Sequence, residues 1–555
     1  MWRGPPACSV NFRSTFLGPF PEPICVQCCK IPGEPRGKNV DQSSTLQARG
    51  PRRKIPTDTT TFSRERPHGY NHKSMAELIF QPASELARMI RSKRVSSCEV
   101  VEVYLRRIER VNPLLNAYVH LDAEGARRQA RAADEALARG KESGPLHGVP
   151  LSIKSSIEVA GFPCECGSKL RQGVVAERDA TLVSRLKHAG AVILGNTNVP
   201  DLLMAYETDN LLYGRTNNPW DLERTPGGSS GGESAAIAAG CSAGGFGSDG
   251  GGSVRVPAHF CGIYGLKPTA GLIPRTGHWP ACVGPASFSA LVGPLARSAE
   301  DLELLLQVTV GPENHDAASA PVAVAPVADQ EMAGTEIGYF EDDGAKPVTP
   351  ETRQAVQTAA QALREQGFQV EPFEMENIEE ARQLWWVFFG VSGAALTRPL
   401  IEGRDEDLHP FVRDLLAPAD GSQYPSFEQF VNMWVERDRL RWRLLEKMGR
   451  RRALLCPVAA VPAFRHGERS WTIDGRDVRY PRVFSYCQIF NLLSNPSVVV
   501  PVGRSPEGLP IGVQIVGRHF EDPWILGIAR RLGAALGEWR QPPEAAWQKS
   551  MDGLK

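Results

Sequence analysis

The residues at 226–234 read PGGSSGGES, and those at 247–268 read GSDGGGSVRVPAHFCGIYGLKP. Glycine at this density in a well-patterned sequence indicates that the backbone approaches a ligand closely or adopts positive φ angles. A P-loop requires Lys and then Ser or Thr after its last glycine, whereas here Gly232 is followed by Glu233 and Ser234. A carboxylate at this point has the wrong charge for a phosphate. The stretch is therefore not a nucleotide-binding loop.

Gly227, Ser229 and Gly231 also satisfy GxSxG, the nucleophile elbow of α/β-hydrolases, which would make Ser229 the nucleophile. That elbow lies between a strand and a helix, but the residues ahead of it, NNPWDLERTP at 217–226, form a polar, proline-broken loop. It also requires a downstream acid and histidine. The candidate histidines, none in a distinctive sequence, are His259, His278, His409, His466 and His519. An esterase of this kind is a minor alternative.

Two serines in glycine-rich turns, Ser229 and Ser253, are 24 positions apart, and Lys154 ends the apolar run GVPLSIK upstream of them. With GNTNVP at 195–200 and CGIYGLKPT at 261–269, these motifs resemble the amidase signature family over nearly everything from residue 78 to 540. This family covers bacterial amidases, fatty acid amide hydrolases and the A subunits of tRNA-dependent amidotransferases. Chance agreement at all these positions in this order is negligible.

The resemblance assigns a role to each motif residue. Ser253 matches the family nucleophile, Lys154 the catalytic lysine, and Ser229 the bridging serine, which in the family follows a cis peptide bond. Asp249 and Arg255 match a structural ion pair. One departure is Ser155, where many members have Asp.

These residue types suit amide hydrolysis. A lysine can act as a base only when burial or nearby donors depress its pKa from about 10.4, and Lys154 closes a strand expected in the sheet core. We expect Lys154 to take the proton of Ser229, and Ser229 that of Ser253. Backbone N–H groups of three glycines are expected to form the oxyanion hole, with Ser230 as a supporting donor. The glycines are Gly250, Gly251 and Gly252.

Residues 1–74 differ from the rest, with many Pro, Arg and Thr and with 12 Lys and Arg against 5 Asp and Glu. Such a segment buries too little apolar surface to offset the loss of chain entropy. We expect a disordered extension, or a start codon placed too early, with Met75 beginning the functional chain. A CxxC can form half of a zinc site, but no second pair follows Cys25, Cys28 and Cys29, so we expect no metal.

From residue 75 onward, apolar runs at 149–153, 191–194 and 244–247 alternate with helical patterns at 181–188 and 234–239. This alternation predicts an α/β fold with a largely parallel sheet and helices on its faces. The resemblance implies the amidase signature fold, a large mixed, mostly parallel β-sheet sandwiched by α-helices. We place this domain at 75–545, with the signature core at about 145–305 and a tail at 546–555.

Other patterns predict further elements. Ser84 and Ser97 are expected to cap two helices, the second ended by Pro113, and a third helix at 123–138 closes at Gly140. After a linker at 310–335, the pattern predicts strands at 336–339, 369–372, 453–456 and 497–502, and helices at 350–366, capped by Thr349, and 524–536.

Residues 375–450 are helical in pattern and unusually aromatic. The bulky rings are Trp385, Trp386, Phe388, Phe389, Trp434 and Trp442. Core packing is the ordinary interpretation of such a stripe, and an apolar pocket wall is the alternative. We place the acyl pocket at 201–213 and 384–442, where the rings favour an aryl or long acyl group.

Lys and Arg total 63, as do Asp and Glu, so no net charge attracts nucleic acid or anionic lipid. We expect a small-molecule amide substrate and no nucleic acid partner, and the sequence is compatible with a homo-oligomer. There is no uninterrupted apolar run of about 18 residues, the minimum for a membrane-spanning helix. Eight of the 12 cysteines lie beyond residue 74 without CxxC spacing, which predicts reduced thiols in a cytoplasmic protein.

The sequence therefore predicts an amidase that forms an acyl-enzyme and needs neither metal nor organic cofactor. The alternative is a glutaminase, the A subunit of a tRNA-dependent amidotransferase. In those subunits an Asp seven residues before the Asn of an NLAG segment helps bind glutamine. Here NLLSNP begins at Asn491, and the matching residue is Phe484, which favours a free-standing amidase. A non-catalytic homologue has no support, because the three triad positions are intact.

Overall fold

The computed structural model describes residues 77–142, 144–343, 346–416, 424–480, 482–537, 539–544 and 547. All of them belong to one unit, Gly69–Lys555. The extension expected at 1–74, with its three cysteines at 25, 28 and 29, and the expected start at Met75 lie outside the described residues.

An eleven-stranded sheet is the centre of the fold. The strands, in chain order, are β1 Tyr118–Leu121, β2 Pro150–Lys154, β3 Val192–Thr197, β4 Gly244–Asp249, β5 Tyr264–Lys267, β6 Leu291–Ala296, β7 Glu336–Tyr339, β8 Gln369–Pro372, β9 Ala453–Pro457, β10 Ser470–Ile473, β11 Arg476–Arg479, β12 Ser497–Arg504 and β13 Pro510–Gly517. β10 and β11 form a separate hairpin. The others lie side by side in the order β1, β3, β2, β4, β6, β5, β12, β13, β9, β7, β8.

The sheet is mixed and is covered by helices, which confirms the expected α/β class, and four of its ten neighbouring strand pairs are parallel. β2 pairs in parallel with β3 and β4, and β7 pairs in parallel with β8 and β9. The other neighbouring strands are antiparallel. Parallel neighbours need a crossover connection. Helices supply this connection here. Because β3, β2 and β4 are parallel neighbours, the carboxyl ends of β2 and β4 lie at the same edge of the sheet.

Helices cover this sheet. They are α1 Ala83–Arg91, α2 Ser97–Leu115, α3 Ala123–Ala138, α4 Thr181–His188, α5 Gly231–Ala238, α6 Arg255–Cys261, α7 Ala299–Thr309, α8 Pro350–Glu365, α9 Ile378–Trp386, α10 Ser392–Ile401, α11 Pro410–Leu416, α12 Phe427–Met448, α13 Ser485–Leu492 and α14 Asp522–Leu536. One apolar core contains α7, α8 and α14, and a second contains α6, α9 and α13. The predicted catalytic residues lie between the two cores, since Ile153, next to Lys154, belongs to the first and Val254, next to Ser253, to the second.

Several predicted elements are found at their predicted positions, but two caps are not. Ser96 caps α2, not Ser97, because Ser96 and Glu99 form a reciprocal capping box. Pro113 lies inside the last turn of α2, and Asn116 ends the helix in a left-handed conformation with φ of 50°. Pro82, not Ser84, occupies the cap position of α1, and the Ser84 N–H donates to Asp301.

The packed structure extends beyond the expected domain end at 545. Trp547 is buried, and its indole N–H donates to the carbonyl of Pro219 over 2.7 Å. The guanidinium of Arg107 lies over its ring. The first residues of the expected tail at 546–555 therefore include one that belongs to the core.

One helical run among the described residues, Ile378–Ile401, is long and apolar enough to cross a membrane by length and composition alone. Gln383, Ser392 and Arg398 interrupt its apolar residues, which is why the sequence shows no uninterrupted run. A π-helical turn, Val387–Val391, joins its two halves. The first half lies in the second core.

Candidate active site

Lys154 is the last residue of β2, and its side chain is fully buried. Its Nζ atom lies 2.7 Å from the Oγ atom of Ser229 and 2.9 Å from that of Ser230. A third hydroxyl, that of Ser248 on the adjacent strand β4, lies 3.0 Å away. The structure therefore brings the predicted lysine and bridging serine into direct hydrogen-bond contact.

Burial lowers the pKa of Lys154 to about 7, while the carboxylates of Asp249 and Glu233 act in the opposite direction. No ion pair joins Lys154 to a carboxylate among the described residues. A large fraction of this amine is therefore neutral near pH 7, with a lone pair able to accept a proton.

Ser229 follows Gly228 through a cis peptide bond, as the resemblance implies. Helix α5 begins two residues later, and both Ser229 and Ser230 are buried at its start. The Ser230 N–H donates to the carbonyl of Ser253 over 3.1 Å, and its hydroxyl donates to the carbonyl of Ser248 over 3.3 Å. Ser230 thus joins strand β4, Lys154 and the second serine turn.

Ser253 lies in the turn between β4 and α6, at the wall of a cavity. Among the described residues, no hydrogen bond links its hydroxyl to Ser229 or Lys154. The two serine turns are connected instead through the backbone bond from Ser230. The structure places Ser253 beside the Lys154–Ser229 pair without closing the predicted relay.

The loop at 249–253, here called the oxyanion loop after its expected role, has no room for side chains at its glycines. A Cβ atom on Gly250 or Gly251 would overlap the ring of Phe389 or Trp385. Gly252 has φ of 122° and its N–H donates to Asp249 Oδ1 over 2.7 Å. That N–H is therefore already engaged, which differs from its expected role in the oxyanion hole.

Asp249 and Arg255 form a buried bidentate ion pair, with nitrogen–oxygen distances of 3.0 and 3.1 Å. Burial alone would raise the pKa of Asp249, but the Arg255 guanidinium holds it well below its usual range. The carboxylate also accepts from the N–H groups of Gly252 and Val254. The pair therefore shapes the oxyanion loop, in the supporting position expected of it.

Glu233 is a site residue that the sequence did not reveal. Its carboxylate is fully buried and accepts hydrogen bonds from Ser152, two residues before Lys154 on β2, and from Thr197 over 2.7 Å. Thr197 is the β3 partner of Lys154. Burial raises the pKa of Glu233 to about 7. A carboxylate in GGESAAIA, an otherwise uncharged helix, was the available signal.

An apolar cavity of about 170 Å³ opens on Ser253. Among the described residues, none that lines it is charged. The lining residues are Leu203, Met204, Ala205, Tyr206, Gly251, Ser253, Trp385, Trp386, Phe389, Phe411, Leu415 and Tyr480. Both segments expected to form the pocket, 201–213 and 384–442, contribute to it. Two larger grooves, beside Arg215 and beside Gln357, contain none of the triad residues.

Some aromatic residues of 375–450 form a pocket wall and others pack in the core, so each of the two interpretations applies to part of the segment. Trp385, Trp386 and Phe389 line the cavity, whereas Phe388 packs in the core against Trp434. Trp442 is 69% exposed and belongs to neither group. The sequence could not separate them, because one helical pattern contains all of them.

The five histidines considered for an elbow have other contacts. His259, for example, accepts from the Gly512 N–H over 2.7 Å, and His278 bonds the carbonyl of Pro280. Residues 217–226 contain no strand, so the elbow geometry is not formed around Ser229. No group of three or more potential metal ligands lies together among the described residues.

The family model for amidases matches residues 99–526. Fatty-acid amide hydrolase 2 of Homo sapiens is 31% identical over 499 residues, with 84% of this chain and 91% of that protein covered. The A subunit of the glutamyl-tRNA(Gln) amidotransferase of Carboxydothermus hydrogenoformans is 33% identical over 480 residues, with 82% and 96% covered. A solved bacterial aryl acylamidase of the amidase signature family has a TM-score of 0.74 and 25% identity, with 85% of this chain and 98% of that chain covered.

The matched region contains Lys154, Ser229 and Ser253 with their glycine-rich turns. Sequence, fold and relatives agree over most of the chain. The chain therefore belongs to the amidase signature family of hydrolases, which act on amide C–N bonds.

Proposed function

We propose that this protein is a free-standing amidase that hydrolyses an uncharged carboxylic acid amide to the acid and an amine or ammonia. One observation carries the proposal. The buried amine of Lys154 lies 2.7 Å from Ser229 beneath an uncharged cavity that contains Ser253. An amide is a poor electrophile with a poor leaving group, so a base, a nucleophile and a returning proton are all needed.

In the first half-reaction, neutral Lys154 takes the proton of the Ser229 hydroxyl as Ser229 takes that of Ser253. The Ser253 oxygen then attacks the carbonyl carbon and gives a tetrahedral intermediate. Rotation of the Ser253 side chain toward Ser229 has to close the relay. Catalytic hydrogen bonds commonly tighten only when substrate is bound.

The negative oxygen of this intermediate needs donors fixed in advance. Because Gly252 already donates to Asp249, we assign this role to the N–H groups of Gly250, Gly251 and Ser253. The carboxylates of Glu233 and Asp249 favour the lysine ammonium formed in the same step.

Collapse of the intermediate breaks the C–N bond. The proton returns from Lys154 through Ser229 to the departing nitrogen, and the acyl group stays on Ser253. Water then attacks the ester, giving its proton to the same relay, and the acid leaves as Ser253 regains its hydroxyl proton. An ester substrate forms the same acyl-enzyme more easily, so esterase activity should accompany amidase activity.

The cavity indicates the substrate class. An engineered apolar cavity of about 150 Å³ holds benzene, and this one is about 170 Å³. We infer that it accepts one ring-sized apolar group beside the scissile bond and disfavours a long acyl chain. The relative named as an aryl acylamidase supports this assignment.

A glutaminase subunit of an amidotransferase is the second candidate, favoured by the 33% identity to such a protein. Glutamine carries a charged ammonium and a charged carboxylate, and the described residues that line the cavity offer no charged side chain to either. Phe484, at the position where an acid helps bind glutamine, stacks on Tyr206 at 3.8 Å between ring centroids. The cavity wall therefore supports the free-standing amidase.

The intact Lys154–Ser229 contact argues against a non-catalytic homologue, and Ser229 lacks the surroundings of an elbow nucleophile. We also infer a cytoplasmic location, supported by eight unpaired cysteines among the described residues.

A substrate panel tests the proposal. Purified protein is incubated with benzamide, 4-nitroacetanilide, decanamide and glutamine, and the acids formed are quantified by mass spectrometry, with Ser253→Ala as the blank. Hydrolysis of the two ring-bearing amides, with little or none of glutamine, is expected. Preferential hydrolysis of glutamine, or copurification with further subunits, would reverse the choice.

A further inference from the structure

The carbonyls of the oxyanion loop are held by two cavity side chains. The indole N–H of Trp385 donates to the carbonyl of Gly250 over 2.8 Å. The hydroxyl of Tyr206 donates to the carbonyl of Gly251, also over 2.8 Å. Both rings are buried and line the cavity that opens on Ser253. The same two side chains therefore line the proposed substrate cavity and also hold the loop that carries the proposed oxyanion donors.

A hydrogen bond to a loop carbonyl also fixes the direction of the next N–H group in the loop. In a planar trans peptide, the carbonyl of one residue and the N–H of the next point in opposite directions. Tyr206 holds the carbonyl of Gly251, and the Gly252 N–H accordingly points away from it to Asp249 at 2.7 Å. By the same rule, the bond from Trp385 fixes the direction of the Gly251 N–H.

We propose that Trp385 and Tyr206 are positioning residues of the oxyanion loop. They set the directions of its N–H groups through the carbonyls of Gly250 and Gly251. This inference rests on the proposed amidase function, and it adds two residues outside the glycine-rich motifs to the machinery.

Other contacts hold these two donors in place. Tyr206 receives a hydrogen bond from Gln488 over 3.0 Å, and its own N–H donates to Tyr480. Trp385 stacks on Phe389, with ring planes 12° apart and centroids 5.0 Å apart. Tyr206→Phe removes one donor and keeps its ring, and Trp385→Phe removes the other and leaves a smaller ring, so both should release the loop while a ring stays in the cavity wall.

Because Trp385 and Tyr206 line the cavity and also hold the loop, the choice of substrate and the catalytic rate should be linked. A ring-sized group in the cavity packs against Trp385 and Tyr206 while their polar atoms hold the loop. A substrate that fills the cavity should therefore gain mainly in kcat, because binding energy is used to hold the donors in place.

The test compares Trp385→Phe and Tyr206→Phe with a matched control, Trp386→Phe. Trp386 lines the same cavity but donates no hydrogen bond to the loop among the described residues. For each protein, kcat and KM are measured with 4-nitroacetanilide. Inhibition by trifluoroacetophenone is measured as well, because its ketone adds a serine oxygen and so mimics the tetrahedral oxyanion.

Trp385→Phe should lower kcat about tenfold or more and weaken the inhibitor to a similar degree, since a lost oxyanion donor costs about 10²–10³ in kcat. KM in Trp385→Phe should change no more than in Trp386→Phe, because each variant shrinks one indole of the cavity wall. Tyr206→Phe should lower kcat and inhibitor affinity less than Trp385→Phe does, because the peptide it releases carries the N–H of Gly252, which Asp249 already engages. The control should alter mainly KM. If Trp385→Phe unfolds, the kcat and inhibitor affinity of Tyr206→Phe test the inference alone, because that variant removes a single oxygen atom.

Equal effects in all three variants, confined to KM, would overturn the inference while the amidase function stands. Unchanged inhibitor affinity in Trp385→Phe and Tyr206→Phe would overturn it too. A wild-type protein that hydrolyses none of the ring-bearing amides overturns the proposed function, and this inference with it.

Discussion

The Nζ atom of Lys154 lies 2.7 Å from the Oγ atom of Ser229, at a depth where the two residues are 0% and 2% exposed. An amine here is kept from water, and burial brings its pKa to about 7. The distance allows direct proton transfer, and the pKa makes the amine a base near neutral pH.

The pH dependence of activity follows from this pKa. Only neutral Lys154 accepts a proton, so kcat/KM should rise with pH through a midpoint near 7 and then level off. Steady-state assays with 4-nitroacetanilide across that range measure it. Burial also lowers the pKa of Lys267 to about 7, so Lys267→Met is the control and should keep the rise. If Lys267→Met lost the rise in kcat/KM, the rise would belong to Lys267 and not to Lys154.

Glu233→Gln tests the carboxylate on the Lys154 side of the sheet. Where Glu233 is ionised, above its own pKa of about 7, its negative charge favours the lysine ammonium. Its removal should therefore lower the pKa of Lys154 further and move the rise in kcat/KM to lower pH. The comparison variant is Glu300→Gln, an exposed carboxylate at the start of α7, which should leave the profile in place. An unchanged or upward-shifted profile in Glu233→Gln would contradict this role.

Lys154→Met should change stability in a pH-dependent way. The pKa of Lys154 is lower in the folded protein, about 7, than in the unfolded chain, about 10.5. The unfolded state therefore binds more protons between these values, and wild-type stability gains from Lys154 as pH rises through this window. Below pH 7 the amine is protonated in both states, so the free-energy cost of burying the Lys154 ammonium in the folded protein is largest. Thermal unfolding should show more stabilisation by Lys154→Met near pH 6 than near pH 9, and the reverse order would contradict the shifted pKa.

Arg255→Ala should be strongly destabilising. It leaves the Asp249 carboxylate buried without its ion-pair partner, and breaking a buried pair from one side costs about 3–5 kcal/mol. Urea unfolding measures the loss. Arg139→Ala is the matched control, because its contact with Glu135 is exposed at the surface. The control should lose less than about 1 kcal/mol. Equal losses in the two variants would contradict the supporting role of Arg255.

The parts of this fold that the sequence predicts have strong local signals. Helix α3 has the predicted bounds, and Gly140 follows it with φ of 70°. Lys154 ends a strand as expected from GVPLSIK. The sequence does not predict β5, β6 and β13, whose segments contain Gly or Pro. β5 and β6 pair with strands distant in the chain, whereas β13 pairs with its neighbour β12 as well as with β9.

The site divides in the same way. Local motifs predict Lys154, Ser229 and Ser253, but the donors to the oxyanion loop come from distant segments. Trp385 lies 135 positions from Gly250 along the chain, and an aromatic helix does not show which ring faces a cavity. The engagement of the Gly252 N–H by Asp249 was equally invisible, since it depends on how the loop turns.

Labelling with a fluorophosphonate, followed by peptide mapping of the modified serine, tests whether Ser253 is the nucleophile that Lys154 activates. The wild-type protein, Ser253→Ala and Lys154→Ala are treated side by side. We expect an adduct on Ser253 that is absent in Ser253→Ala and forms about 10²–10⁴ times more slowly in Lys154→Ala. An adduct on Ser229, or labelling of Ser253 at an equal rate without Lys154, would contradict it.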